Sequence, residues 1–197
     1  MLYKIIALHG NLNTKLAHIS YLHIEENGGN WTLVNTNLSL QKQIDIGFTA
    51  TIHSLLQMPI TAYNVLNADV SNKLATEVAT FIAENELEHK IDFVAFGNLY
   101  ITDEVQLGNG AYLAAHLQLP VIDNFDTINT ALGGNTNILA IANTLLNITS
   151  ILTADYTNTA LALLATLRWR EAYNVLQQHT NASRNHIAGT IWLGVEA

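Results

Sequence analysis

The chain has 197 residues, enough for one well-filled core, and its 16 acidic against 8 basic side chains give a net charge of −8. That balance excludes an extended nucleic-acid surface, which needs clustered Lys and Arg to displace counterions from phosphates. The absence of cysteine excludes disulfides, thiolate catalysis and cysteine zinc sites, and it fits a reducing compartment.

Charged residues make up only 12% of the chain, so 22 asparagines and many hydroxyls supply the polar surface and few long-reach ion pairs are available. The longest mostly apolar stretches, 138–146 and 160–167, fall well short of the ~20 residues that span a bilayer. Residues 1–8 read as a first strand rather than a leader, because the apolar run is short and no small-residue cleavage site follows. A cytoplasmic protein with no membrane or nucleic-acid partner is expected.

In chain order, the β-rich runs 3–8, 16–24 and 31–40 predict three antiparallel strands, separated by HGNLNTK and by a turn at 26–30. A loop and short helix follow over 46–57. Pro59 then stands where it would open a long helix as its first residue. Tyr63, Leu66, Val70, Leu74, Val78 and Phe81 recur at three- and four-residue steps, which draws one apolar stripe down some 25 residues and packs that helix on the sheet. Residues 91–96 form a buried strand leading into Gly97, Asn98 and Leu99, and 111–117 form another helix running into Pro120 and the strand that ends at Asp123. An amphipathic helix is expected over 158–178, with Leu161, Leu164, Trp169, Ala172 and Leu176 near one face. Composition and periodicity thus give an α/β domain with a mostly antiparallel sheet flanked by helices.

The chain is organised around 125–139, FDTINTALGGNTNIL, where an apolar strand empties into a polar turn with Gly133 and Gly134. Strand-to-helix turns of this kind place reacting groups in nucleotide-binding α/β proteins, although a lone glycine pair at such a turn is usually plain turn chemistry. The segment resembles the signature FRxxDVAAGGQGAPL of the anhydro-N-acetylmuramic acid kinases, sugar kinases of the hexokinase and actin superfamily. Phe125, Ala131, Gly133, Gly134 and Leu139 fall on the family's residues. Asp126 stands at the family's Arg, and Asn129 stands at its catalytic Asp.

A carboxylate takes the proton of an attacking hydroxyl, whereas a carboxamide near neutral pH does not. General-base help is typically worth about 10²- to 10⁴-fold in rate. Asn129 either hydrogen-bonds a sugar hydroxyl, with two donors and an acceptor, or caps the following turn. The family's phosphate-binding hairpin SGTSxDG corresponds to 9–15, HGNLNTK, where only Gly10 is kept. Asn11, Thr14 and Lys15 form a degenerate version of that hairpin, without the acidic residue that helps hold the metal neutralising transferring charge. The family's HGQT becomes Phe96, Gly97, Asn98, Leu99. Its QxGDG becomes QLGNG at 106–110, with Gly108 and Gly110 kept and Asn109 in place of the acid. Backbone-shaping glycines are retained while charged side chains are replaced.

After residue 146 the family continues through a second lobe; here 147–156 reads as a linker. The sequel resembles the family's extreme C-terminus at Leu167-Arg168, Asn174-Val175-Leu176 and Ala182-Ser183-Arg184. The resemblance implies a single domain over 1–197. Its fold is one ribonuclease H-like, actin- or hexokinase-type lobe, a mixed sheet with an antiparallel N-terminal meander flanked by helices, closed by its own returning C-terminal segment.

The implied function is that of a catalytically inactive binding or interaction module in amino-sugar metabolism and peptidoglycan recycling. Substrate contacts fall to Gly97, Asn98, Gly108, Asn109, Gly133 and Gly134, no cofactor is expected, and the partners are an anhydro amino sugar and a second protein surface, by self-association or otherwise. The alternative is a residual ATP-dependent sugar kinase that uses Mg-ATP and is completed by a partner in trans. The eight histidines show no HExxH spacing, and neither a GxSxG elbow nor a GxxxxGK[ST] loop is present. Trp31, Trp169 and Trp192 read as core or interface residues.

Overall fold

The computed structural model of the chain describes residues 1–11, 15–27, 30–35, 41–45, 52–102, 105–124 and 190–192. Its centre is a mixed sheet. Strands β1 (Leu2–Asn11) and β2 (Leu16–Asn27) form a long antiparallel pair, and β3 (Asn30–Asn35) and β4 (Gln41–Asp45) both run antiparallel to β2. Helices α1 (Ile52–Leu56) and α2 (Ile60–Glu84) follow. Strand β5 (Phe93–Thr102) pairs in parallel with β1 and antiparallel with β6 (Val105–Leu107); α3 (Gly110–Leu117) then leads to β7 (Val121–Asp123), parallel to β5. Finally β8 (Thr190–Trp192) pairs antiparallel with β7, giving the order β3-β2-β1-β5-β7-β8.

Both faces of the central strands are buried. On one face Ile6, Leu8, Ile19, Tyr21, Val94, Phe96 and Val121 pack with Val70, Leu74, Ala75, Val78 and Phe81 of α2 and with Leu113 and Ala114 of α3. On the other, Ile5, Ala7, Phe93, Ala95 and Ile122 are fully buried as well. Strands buried on both sides read as unbroken apolar runs, which is why 93–96 carries no alternation. Each such Leu, Ile or Phe contributes roughly 1.5–3 kcal/mol through removal from water.

The expected stripe on α2 is the buried one: Val70, Leu74, Val78 and Phe81 lie in the core, and Tyr63 and Leu66 pack against its margin. Pro59, expected as the first helical residue, is instead the N-cap, with φ −56 and ψ 141. Its extended conformation places it outside the helix, and its carbonyl receives the Tyr63 N–H at 3.0 Å. Asn85 closes the other end, its Nδ2 donating to the Phe81 carbonyl at 2.8 Å.

Three further expectations are corrected. Of the third strand expected over 31–40, the described part is β3 and 36–40 lie outside the described residues, while an additional strand, β4, shares the same edge of β2 and pairs with its other half. The polar 41–45 segment carries little β signal, and it is the pairing with Leu16–Ser20 of β2 that makes it a strand. The hairpin loop read at 9–15 is shorter, because β1 runs on through Gly10 and Asn11 before the chain turns at Lys15, whose φ of 59 is left-handed. The strand expected over 91–96 is longer, since β5 continues through Gly97 and Asn98 to Thr102. A register shift between Leu8 and Gly10 carries the β1–β5 ladder past this point, and β6 pairs the far half of β5.

The helix expected over 158–178 and the whole of 125–189, including Asn129, Gly133 and Gly134, lie outside the described residues, as does Thr14.

Candidate functional site

Beside the carboxyl end of β7 an open cavity of about 130 Å³ is lined by Tyr63, Asn67, Gln106, Gly108, Asn109, Asp123 and Asn124. Ligands of open α/β sheets settle at the carboxyl ends of strands, because the loops leaving those ends bring polar groups together above a rigid floor.

Helix α2 supplies one wall. Tyr63, Asn67 and Ser71 recur every four residues and therefore share one side of the helix. Asn67 Oδ1 accepts the Gly108 amide at 2.7 Å, and Ser71 Oγ accepts the Asn109 amide at 3.0 Å while donating to the Asn67 carbonyl at 2.5 Å. The Tyr63 hydroxyl donates to the Gln106 carbonyl. Burial pushes the Tyr63 pKa up, which keeps its proton in place as a donor. The 106–109 turn is thus fastened to α2 by three separate hydrogen bonds.

The opposite wall is the start of α3 and the end of β7. Asn109, extended at φ −139, is the N-cap of α3, and its side chain accepts the Ala111 amide at 2.8 Å. The amide of Gly110, the first helical residue, donates to Asp123 Oδ2 at 2.9 Å, so a carboxylate meets the positive end of the helix. Asp123 is 1% exposed. Its Oδ1 receives the Asn124 side-chain amide at 3.0 Å, and Asn124 Oδ1 in turn receives Gln106 Nε2 at 3.1 Å. Gln106 Oε1, at the end of this relay, is buried without a hydrogen-bond partner.

Of the residues singled out in the sequence, Gly108 and Asn109 meet at this cavity. Gly108 has φ +95, and a Cβ on it would lie 2.4 Å from Phe96 Cζ, so packing and backbone both require glycine there. Gly10 and Asn11 close β1, in register with Leu99 and Tyr100 of β5, and Gly97 and Asn98 stand in the interior of β5. A Cβ on Gly10 would lie 2.0 Å from Leu99 Cδ2, so the glycine is explained by close approach of two strands. Lys15 stands on the turn into β2.

Tyr63, Asn67, Ser71, Asp123 and Asn124 were not singled out as site residues by the sequence reading. Two signals bear on them: polar residues at four-residue steps beside an apolar stripe, and an acid closing an otherwise apolar strand. Among the described residues no group of three or more His, Asp or Glu side chains converges as a metal would require.

The arrangement is built to hold hydrogen bonds. Four carboxamides, a phenol and a carboxylate line this open space. No protein-family model matches the chain, and no curated protein matches it in sequence.

Proposed function

We propose that this chain is a non-catalytic binding module for an amino sugar, built on one ribonuclease H-like lobe akin to the first lobe of the anhydro-N-acetylmuramic acid kinases. The observation that carries the reading is the cavity at the end of β7, whose Asn67, Gln106, Asn109 and Asn124 carboxamides surround a space of sugar-edge size. Each carboxamide offers both donors and an acceptor, the combination that matches a hydroxyl, which is itself donor and acceptor.

The lobe assignment is supported by the strand order β3-β2-β1-β5-β7, with β2 antiparallel to its neighbours and β5 and β7 parallel to β1. That is the arrangement a ribonuclease H-like lobe requires. Loss of phosphotransfer is argued from chemistry. Asn129 offers no base where the kinases it resembles use a carboxylate. The wider role in peptidoglycan recycling, a cytoplasmic setting, and a protein partner or second copy on the face left without a second lobe belong to the same proposal. Among the described residues no helix is long and apolar enough to cross a membrane.

The test is calorimetric titration of the purified chain with Mg-ATP and, separately, with 1,6-anhydro amino sugars. Saturable heat from a sugar with silence from Mg-ATP is the expected result. Mg-ATP-dependent sugar phosphorylation that disappears in Asn129→Ala overturns the non-catalytic reading, and silence from every sugar overturns the binding reading.

A further inference from the structure

We infer that the β1–β2 hairpin carries a binding site for a divalent cation of the zinc and nickel class, chelated by His9 and His18, which the strand register sets side by side. The site lies on β1 and β2, with β5 between them and the cavity at the end of β7, and it does not depend on the sugar reading.

His9 of β1 stands directly opposite His18 of β2 in the antiparallel ladder, between the pairs Leu8–Ile19 and Gly10–Ala17. Directly opposed residues share one face of a sheet and hold their β-carbons about 4.5–5.5 Å apart. Two imidazoles carried at that spacing can each bring one ring nitrogen to a common ion, at a zinc–nitrogen distance of about 2.0–2.1 Å. Alternation sets the face. Ala17 and Ile19 are fully buried in the core shared with α2, so His18 between them belongs to the opposite face, where it is partly exposed. An ion therefore reaches it from solvent.

The strands on either side suit a cation. On β4, Gln43 stands opposite His18, and exposed Asp45, two positions on, falls on the same face, which sets a carboxylate-bearing residue near the pair. On β5 the ladder passes from Leu8–Phe96 to Gly10–Leu99, so that Gly97 and Asn98 together face the single residue His9. Such a bulge interrupts the pairing, and Gly97 brings no side chain to crowd His9.

Imidazole nitrogen suits zinc, copper and nickel, whereas magnesium and calcium take oxygen ligands. A ligating histidine gives one ring nitrogen to the metal and keeps the other for a hydrogen bond, so ligation is compatible with contacts that a strand histidine already makes. No cysteine exists to compete for the ion. Two histidines leave its remaining positions to water, which makes this an open site that ties β1 to β2.

The test is calorimetric titration of the tag-free, chelator-treated chain with zinc chloride at pH 7.5. Saturable binding is expected, weakened at least about tenfold in His9→Gln and in His18→Gln. His116→Gln, which changes an exposed histidine of α3, should leave it unaltered. Binding by the parent chain should also weaken at least about tenfold at pH 5.5, because a protonated imidazole does not ligate. Circular dichroism reports whether each variant is folded. Substoichiometric nickel added to the isotope-labelled parent chain gives a readout that needs no variant: paramagnetic broadening of amide signals is expected to centre on 8–10 and 17–19. Absence of saturable zinc binding, affinity that survives both histidine substitutions, or broadening centred elsewhere overturns the inference, and none of these outcomes bears on the sugar reading.

Discussion

Phe96 and Gly108 are in such close contact that a β-carbon on the glycine would stand 2.4 Å from the Phe96 Cζ. Phe96 is fully buried, and the Gly108 φ of +95 is strained for any L side chain. Gly108→Ala is therefore expected to destabilise the fold by about 2–4 kcal/mol, combining overpacking with backbone strain. Urea denaturation measures the loss, and an unchanged midpoint would mean that the 106–110 turn relaxes freely.

Gly10→Ala addresses the other close approach. Leu99 is fully buried, so its Cδ2, 2.0 Å from the added carbon, can move only by disturbing the β1–β5 contact. A loss of about 1–3 kcal/mol is expected from overpacking, with φ playing no part because Gly10 is a ladder residue of β1.

Asn109 caps α3 through its side chain, so Asn109→Ala is expected to cost about 1 kcal/mol, whereas Asn109→Asp keeps the acceptor and adds favourable charge at the helix start. The melting temperatures should therefore fall for alanine and hold for aspartate. If both variants melted alike, the cap would contribute nothing to stability.

The acid limb of stability should carry a contribution from His23. Its ring meets Tyr21 edge-on at 4.8 Å, Lys4 stands opposite it in the β1–β2 ladder, and its Nε2 is buried without a partner. Burial first, and the Lys4 charge second, lower its pKa from the usual histidine value of 6.5. A histidine whose folded pKa lies below the unfolded value binds its proton more readily in the unfolded chain. Its contribution is therefore present above the unfolded pKa of about 6.5 and is lost as pH falls below it toward the folded value. Urea midpoints measured from pH 7.5 down to 5 should drop less steeply in His23→Gln than in the parent chain.

Much of this architecture is legible in the sequence where one physical signal acts alone. The α2 stripe, the apolar β5 core and the helix expected over 111–117 are kept by the structure, which begins that helix at Gly110 with Asn109 as its cap. What escaped depends on partners far away in the chain. The strand read as ending at Phe96 runs on, because after a register shift opposite Gly97 and Asn98 the β1 ladder resumes at Leu99 and Tyr100, where β6 also pairs β5. The polar segment that becomes β4 needs β2 to be a strand at all. At the cavity, Tyr63 was read only as part of the apolar stripe, because its ring packs on the core margin while its hydroxyl does separate work at Gln106. Asp123 was read as a strand terminus, since nothing local announces that its carboxylate will meet the first amide of a helix thirteen positions earlier.

The parallel pairing of β1 with β5 bears on how the chain assembles during synthesis. Lys4 and Asp92, which exchange hydrogen bonds beside this pairing, are separated by 88 positions, whereas β1 and β2 meet across a short turn. The hairpin closes early and locally, but Ile5, Ala7 and Leu8 wait for their neighbours until β5 has emerged, and β7 waits longer still for β8. Long-range closure of this kind slows folding and leaves apolar strand edges open to other nascent chains meanwhile. The first strand of this sheet therefore depends for its second neighbour on a segment made more than eighty residues later.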